Sequence, residues 1–153
     1  TMGQALAAGL RAGLQDADIP VWLNTEFQEI VINESETVVG VIVKKDGAQT
    51  FLKANEAVFL GSGGFEHNLE MRETYQEHPI STDWTVGTKE NTGDGILAGQ
   101  KVGAALDLMD EAWWGPSIQL GENEPYFCLA ERSLPGSLMV NRDAKRFTNE
   151  GAP

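Results

Sequence analysis

The sequence has little of what thiol and metal chemistry requires. Its 153 residues include one cysteine, Cys128, and two histidines, His67 and His78. A single cysteine excludes an intrachain disulfide and a cysteine-based metal cluster, and the histidine spacing matches no zinc motif. Cys128 lies between Phe127 and Leu129, a setting that favours a small buried apolar residue over a nucleophile.

Positive charge and long apolar runs are also scarce. Eleven lysines and arginines face 23 aspartates and glutamates, for a formal net charge of −12. Such a chain cannot neutralise phosphates, so nucleic acids and anionic membrane surfaces are not expected partners. No apolar run has membrane-spanning length, and no signal or transit peptide pattern occurs, so we expect no membrane segment and a cytoplasmic location.

Neither the Walker spacing nor the G-x-G-x-x-G dinucleotide fingerprint occurs in the chain. Glycine is nevertheless abundant, with 17 residues. The stretch Ala57-Val58-Phe59-Leu60-Gly61-Ser62-Gly63-Gly64-Phe65 predicts an apolar strand, covered on both faces, that leads into a glycine-rich turn. Bare backbone N–H groups at the end of such a strand suit a phosphate or the sugar of a nucleotide. A tight turn without a ligand is an equal alternative.

A second glycine-rich segment, Asn91-Thr92-Gly93-Asp94-Gly95, precedes a helix predicted over residues 96–102. Asp94 is a suitable N-cap, and the N-terminus of the helix can hold an anion. An ordinary cap without a ligand is the alternative. Taken together, the two segments predict one surface that bears a phosphate or a cofactor.

The remaining pattern predicts an α+β fold. Leu6, Leu10 and Leu14 indicate an amphipathic helix, and Asn68 is a plausible N-cap for another helix over residues 69–75. The predicted strands cover residues 21–23, 26–33, 38–43, 49–53, 104–109 and 137–141, with a hairpin turn at 45–47. The adjacent Trp113 and Trp114 can line an apolar pocket or fill a core.

In this order, the segments resemble those of the FAD-dependent succinate dehydrogenase/fumarate reductase flavoprotein superfamily. Residues 57–65 with Asn68 and Met71-Arg72 resemble its "LATGGF…N" segment, and residues 91–95 with Gly103-Ala104 resemble its "NTGDG…GA" segment. Arg146-Phe147, Asn149-Glu150 and Ala152-Pro153 resemble its "ERF…AP" segment. Residues 109–116 and 131–137 are most similar to the 3-ketosteroid Δ1-dehydrogenase branch.

The resemblance implies part of an α/β-type FAD domain with antiparallel strands over residues 1–79, and a junction with part of a substrate-binding cap domain over residues 80–153. It places FAD in the parent protein, with the adenine at the backbone of Phe27. The other implied cofactor-binding residues are Gly61, Ser62, Gly63, Gly64, Thr92, Gly93 and Asp94.

The ligands that dicarboxylate-handling members use are missing. Their histidine corresponds to Lys89, and their Thr-Glu pair corresponds to Leu129 and Ala130. Their catalytic arginine corresponds to Ser133, beside Arg132, which makes these two the candidate catalytic residues. A dianionic substrate would therefore be left unpaired, at a high cost in desolvation.

The resemblance therefore implies an oxidoreductase that dehydrogenates an apolar, ketone-bearing substrate such as a 3-ketosteroid. A proton next to the ketone would leave, and hydride from the adjacent carbon would pass to the flavin. The implied substrate-pocket residues are Trp113, Trp114, Leu129 and Leu134. The alternatives are a reductase of unsaturated acids and a non-catalytic domain on the same fold.

The chain begins within a helical pattern and stops abruptly, so we expect a piece of a longer protein. By itself this piece is expected to lack FAD and catalysis. Its apolar surface is expected to favour self-association.

Overall fold

The computed structural model describes residues 2–121 and 125–150, so the Ala152-Pro153 part of the third motif lies outside the described residues. The chain divides into two compact units, of which the first ends at Phe59 and the second begins at Leu60. Both contain helix and antiparallel strands, so the predicted α+β class is confirmed. The division into FAD and cap domains at residue 79 stays a prediction.

The first unit combines one helix with a three-stranded antiparallel sheet of order β1-β2-β3. Its elements are α1 (Met2–Asp16), β1 (Thr25–Ile32), β2 (Val38–Lys45) and β3 (Ala48–Lys53). Asp46 and Gly47 join β2 to β3 with φ of 51° and 83°, which matches the twist of a two-residue hairpin turn. The predicted helix and the hairpin are therefore confirmed, and Leu6 and Leu10 of the predicted apolar stripe are exposed.

A glycine and an aromatic ring lie close together across strands β2 and β3. Gly40 on β2 faces Lys53, and Ile42 faces Phe51 on β3. A Cβ atom at Gly40 would collide with the Phe51 ring and with the carbonyl oxygen of Leu52. The ring therefore occupies the space that a side chain at Gly40 would need.

The predicted strand over residues 21–23 is wrong. This segment is irregular, and Asp18 and Asn24 on either side of it have positive φ angles of 52°. Those two turns prevent the extended run that pairing requires. The Trp22 ring instead lies 5.1 Å from Nζ of Lys45.

The second unit holds two short helices and a small ribbon. Its elements are α2 (Leu69–Tyr75), α3 (Asp94–Lys101), β4 (Ser117–Ile118), β5 (Tyr126–Phe127) and a 3₁₀ turn (Glu131–Ser133). Strands β4 and β5 pair in antiparallel fashion, and sequence patterns did not predict them.

Both helices begin close to the predicted positions. Asn68 caps α2 as predicted, because its side-chain oxygen accepts a hydrogen bond from the Met71 N–H at 3.1 Å. The N-cap of α3 is Gly93, with φ of 81°, so the prediction that Asp94 caps this helix is wrong. Asp94 is the first helical residue, and its carboxylate accepts from the Thr92 hydroxyl at 3.0 Å.

Three further strand predictions are wrong for a common reason. Residues 57–60 and 104–109 are irregular, and the predicted strand at 137–141 is reduced to one bridge between Val140 and Arg146. Phe59 is 97% exposed, so the first of these stretches is not covered on both faces. A strand needs a neighbouring strand for its hydrogen bonds, and no described residue pairs with residues 57–60.

Few apolar side chains are buried in the described parts of the chain. Those with the least exposure are Val43, Met71 and Ala98. Across residues 2–121 and 125–150, no helix combines the length and apolar character needed to cross a bilayer.

Candidate functional site

The structure places the two glycine-rich segments side by side in the second unit. The Gly93 N–H donates to the Gly64 carbonyl oxygen at 3.0 Å, and the Gly95 N–H donates to the Ser62 hydroxyl at 3.1 Å. Residues 33 positions apart in the sequence are thus hydrogen-bonded directly. We call this arrangement of residues 61–66 and 91–95 the glycine junction. That the junction bears a cofactor stays a prediction.

Polar groups next to the glycines reinforce the glycine junction. The Asn68 side chain donates to the Thr92 carbonyl oxygen at 2.9 Å, in addition to capping α2. The Asn91 side chain donates to the Glu66 carboxylate at 2.6 Å, and the His67 N–H donates to the Asn91 carbonyl oxygen at 3.0 Å. These contacts satisfy backbone groups that the irregular chain would otherwise leave unpaired.

A thioether fills the inner side of the glycine junction. Met71 on α2 is 5% exposed, and its Sδ atom occupies the position that a Cβ atom at Gly93 would need. Glycine at position 93 therefore serves two purposes. It adopts a positive φ angle, and it lets α2 pack directly against the backbone.

The first glycine-rich turn offers donors that the described structure does not use. No described residue accepts a hydrogen bond from the N–H groups of Gly61, Ser62, Gly63 or Gly64. Gly63 has φ of 85°, and no described atom lies within 4 Å of a Cβ atom added at Gly61. Consecutive N–H groups at a turn form a concave surface that is suited to anions.

A cavity of about 1080 Å³ lies next to the glycine junction within the same unit. Five aromatic residues and a leucine contribute to its wall: Phe65, Trp84, Trp113, Trp114, Phe127 and Leu129. Three of the four predicted pocket residues therefore line it. The fourth, Leu134, directly follows the 3₁₀ turn and does not line the cavity.

Arg72 is the feature that sequence reasoning missed. It lies on α2 and lines the cavity, yet it is only 4% exposed. Its Nη1 atom donates to the Glu66 carbonyl oxygen at 3.1 Å, and its Cζ atom lies 5.8 Å from the centre of the Trp114 ring. Burial lowers the pKa of the Arg72 guanidinium below its usual value, and the Glu66 carboxylate opposes that shift. Burial at this position was not predictable from the sequence, because arginines are rarely buried.

The candidate catalytic residues lie apart from the cavity wall. The Arg132 N–H donates to the Cys128 carbonyl oxygen at 3.2 Å, and the Ser133 hydroxyl donates to the Leu129 carbonyl oxygen at 3.4 Å. Neither Arg132 nor Ser133 lines the cavity, and their catalytic role stays a prediction.

Tyr126 and Glu131 form a local pair beside these residues. The Tyr126 hydroxyl donates to Glu131 Oε1 at 2.6 Å. This hydrogen bond raises the pKa of Tyr126 and lowers the pKa of Glu131.

Phe27 belongs to the first unit and is described with it. It lies on β1 opposite Val43 and is partly buried, and its carbonyl oxygen accepts from the Gln28 side chain at 3.2 Å. Its contact with an adenine stays a prediction. Elsewhere, no group of three histidines, cysteines, aspartates or glutamates within the described ranges is arranged to hold a metal ion.

Comparison with protein families and curated sequences gives a consistent result. A family model described as an FAD binding domain matches residues 1–153. The chain is 51% identical to a 3-oxosteroid 1-dehydrogenase of Mycobacterium tuberculosis over 157 residues, covering 99% of this chain and 28% of that protein. It is 28% identical to a probable fumarate reductase of Shewanella frigidimarina, covering 97% of this chain and 25% of that protein. The chain therefore spans about a quarter of the length of these relatives.

Among solved structures too, a ketosteroid dehydrogenase is more similar to this chain than a fumarate reductase is. The crystal structure of a 3-ketosteroid Δ1-dehydrogenase from Sterolibacterium denitrificans, in complex with 1,4-androstadiene-3,17-dione, matches with a TM-score of 0.89 at 43% identity. The match covers 99% of this chain and 28% of that one. A flavocytochrome c3 fumarate reductase in an open conformation matches with a TM-score of 0.70 at 28% identity, over 94% of this chain and 25% of that one.

Proposed function

The chain belongs to the FAD-binding-domain family, and from that premise we propose that the whole protein binds FAD and dehydrogenates a neutral, ketone-bearing apolar molecule such as a 3-ketosteroid. Its similarity to 3-oxosteroid 1-dehydrogenases exceeds its similarity to fumarate reductases in both sequence and structure. The proposed partner is thus a small molecule, and a cytoplasmic location remains a prediction from the sequence.

The observation that carries the cofactor proposal is the row of unused N–H groups from Gly61 to Gly64. These donors fit the oxygen-rich part of a dinucleotide, and the open space at Gly61 leaves room for close approach. Thr92, Gly93 and Asp94 would lie beside the same cofactor, because the glycine junction joins the two segments. When bound, FAD supplies the oxidising chemistry.

The cavity supports a neutral substrate rather than a dicarboxylate. The aromatic residues of its wall offer an apolar body a surface to pack against. The only cation among its described lining residues is Arg72, which is buried and already donates to the Glu66 carbonyl oxygen. The lining also includes the carboxylates of Glu66, Asp83 and Glu111, which would repel a dianion.

Turnover by the full-length protein tests the substrate proposal. We expect bound flavin absorbance and oxidation of a 3-ketosteroid in the presence of an artificial electron acceptor. Fumarate reduction without steroid oxidation would favour the unsaturated-acid alternative. A protein that purifies without flavin and takes up none from added FAD would instead be a non-catalytic domain.

A glycine substitution tests the cofactor surface separately. The G61A variant places a methyl group where no described atom lies within 4 Å, and Gly61 does not have a positive φ angle. We expect unchanged thermal stability of the apoprotein and at least a tenfold weaker affinity for FAD, equivalent to about 1.4 kcal/mol. The G3A variant, in an open position on α1, controls for an added methyl group. Equal FAD affinity in G61A and G3A would contradict the assignment.

A further inference from the structure

Trp114 lines the cavity and lies in an irregular segment of the chain. Residues 111–116 have no regular secondary structure, and the Trp114 side chain is 59% exposed. The neighbouring Trp113 is fully exposed. Trp114 donates its backbone N–H to the Ala112 carbonyl oxygen at 3.0 Å, but that bond does not set the orientation of the indole.

Arg72, by contrast, is fixed to the glycine junction. It lies on α2, whose cap residue Asn68 also donates to the Thr92 carbonyl oxygen. Its guanidinium donates to the Glu66 carbonyl oxygen, and its Nε atom has no hydrogen-bond partner among the described residues. Besides Glu66, whose carbonyl oxygen and carboxylate both act on this cation, the described structure brings the face of the Trp114 ring to it.

We propose that Arg72 is a positioning residue that fixes the Trp114 ring as a wall of the cavity and thereby sets affinity for the apolar substrate. A planar, buried guanidinium suits this role, because it can donate in its plane to Glu66 while its charge lies over an aromatic face. The inference rests on the proposed function, because it takes the cavity as the substrate site.

A double-mutant cycle on the full-length, flavin-loaded protein tests the coupling. The probe is 1,4-androstadiene-3,17-dione, whose affinity is measured from the change that it causes in flavin absorbance. We expect R72M and W114F to be coupled. The loss of steroid affinity caused by R72M should be roughly two- to fivefold smaller in the W114F background than in the unmodified protein. We expect R72M and W113F to be additive, because the recorded ring contact of Arg72 is with Trp114 and Trp113 is fully exposed. Additivity of R72M with W114F would overturn the proposal.

The R72K variant provides a second test in case R72M does not fold. Lysine keeps the positive charge but loses the planar donor, so we expect part of the steroid affinity to return. The expected loss lies in KM more than in kcat, because Arg72 acts on the wall and not on the reacting atoms. If R72M does not fold, the double-mutant cycle is measured with R72K and W114F instead. Additive effects of these two substitutions on steroid affinity would then overturn the proposal.

A measurement without steroid separates this inference from the proposed function. In protein labelled with 5-fluorotryptophan, the resonance of Trp114 is identified by its absence in W114F. We expect this resonance to shift or broaden in R72M, while the Trp113 resonance keeps its position. An unchanged Trp114 resonance would refute the positioning role. Failure of the unmodified protein to bind steroid, with a shifted resonance in R72M, would refute only the substrate class.

Discussion

The Asn68 side chain links helix α2 to the glycine junction, and its replacement tests how the candidate cofactor surface is held. One atom of the amide, Oδ1, accepts from the Met71 N–H at 3.1 Å and caps the helix. The other, Nδ2, donates to the Thr92 carbonyl oxygen at 2.9 Å. N68A removes both contacts. N68D keeps the cap but replaces the donor with a carboxylate oxygen that faces a carbonyl oxygen.

The two losses can be estimated separately. Loss of the cap costs about 1 kcal/mol. A partly buried carbonyl without its donor costs about 1 kcal/mol, at the low end of the range for unsatisfied groups. N68A should therefore lower the free energy of local opening by about 2 kcal/mol, which corresponds to about 30-fold faster amide exchange. N68D should lose only the second contribution, for about fivefold faster exchange.

Hydrogen exchange followed by mass spectrometry on the full-length protein provides the measurement. In N68A, peptides that cover α2 and residues 91–95 should both exchange faster. In N68D, α2 should stay protected while the Gly93 and Gly95 amides lose protection, because these two donate across the junction. The T74A variant, which removes an exposed hydroxyl bond within α2, is the matched control. Protection of residues 91–95 in N68D equal to that in T74A would refute the reasoning.

Three further predictions concern other parts of the chain. G40A should destabilise the β2–β3 hairpin by about 1–3 kcal/mol, because the Phe51 ring occupies the space of the new methyl group, and exchange of the β2 amides measures this. The hydrogen bond from Arg146 lowers the pKa of Glu150 to about 2, so the carboxylate stabilises its surroundings above the unfolded pKa of about 4.3 and stops doing so as the pH falls towards 2. The E150Q variant should lose this pH dependence, measured by NMR of amides in residues 139–150. G63A should destabilise the glycine junction by about 1–2 kcal/mol, because alanine is strained at φ of 85°, and denaturant unfolding of the apoprotein checks this.

The sequence predicted those features of the fold that depend on local signals. Asn68 capped its helix as expected because a cap involves only the next three residues. The β2–β3 hairpin formed as expected because its turn residues adopt positive φ angles without help from the rest of the chain. The proximity of the two glycine-rich segments is not local, and it became predictable only through the order of motifs in a known superfamily.

The features that were missed depend on distant neighbours. A run such as Val58-Phe59-Leu60 has strand character, but pairing requires a second strand, and no described segment supplies one. The burial of Arg72 depends on the Glu66 carbonyl oxygen and on Trp114, which lies 42 positions further along the chain. No periodicity within α2 signals such a contact, so the sequence could not predict the burial of Arg72.

Met71 makes the glycine junction sensitive to oxidation. Its sulfur atom packs where Gly93 lacks a side chain, and at 5% exposure it is shielded from oxidants while the two segments stay together. An oxygen added to this buried sulfur by oxidation to the sulfoxide would be polar and would disfavour closure of the two segments until the sulfoxide is reduced. Opening of the glycine junction therefore exposes Met71 to oxidants, so we expect the sulfoxide fraction at this position to rise with the time that the junction spends open.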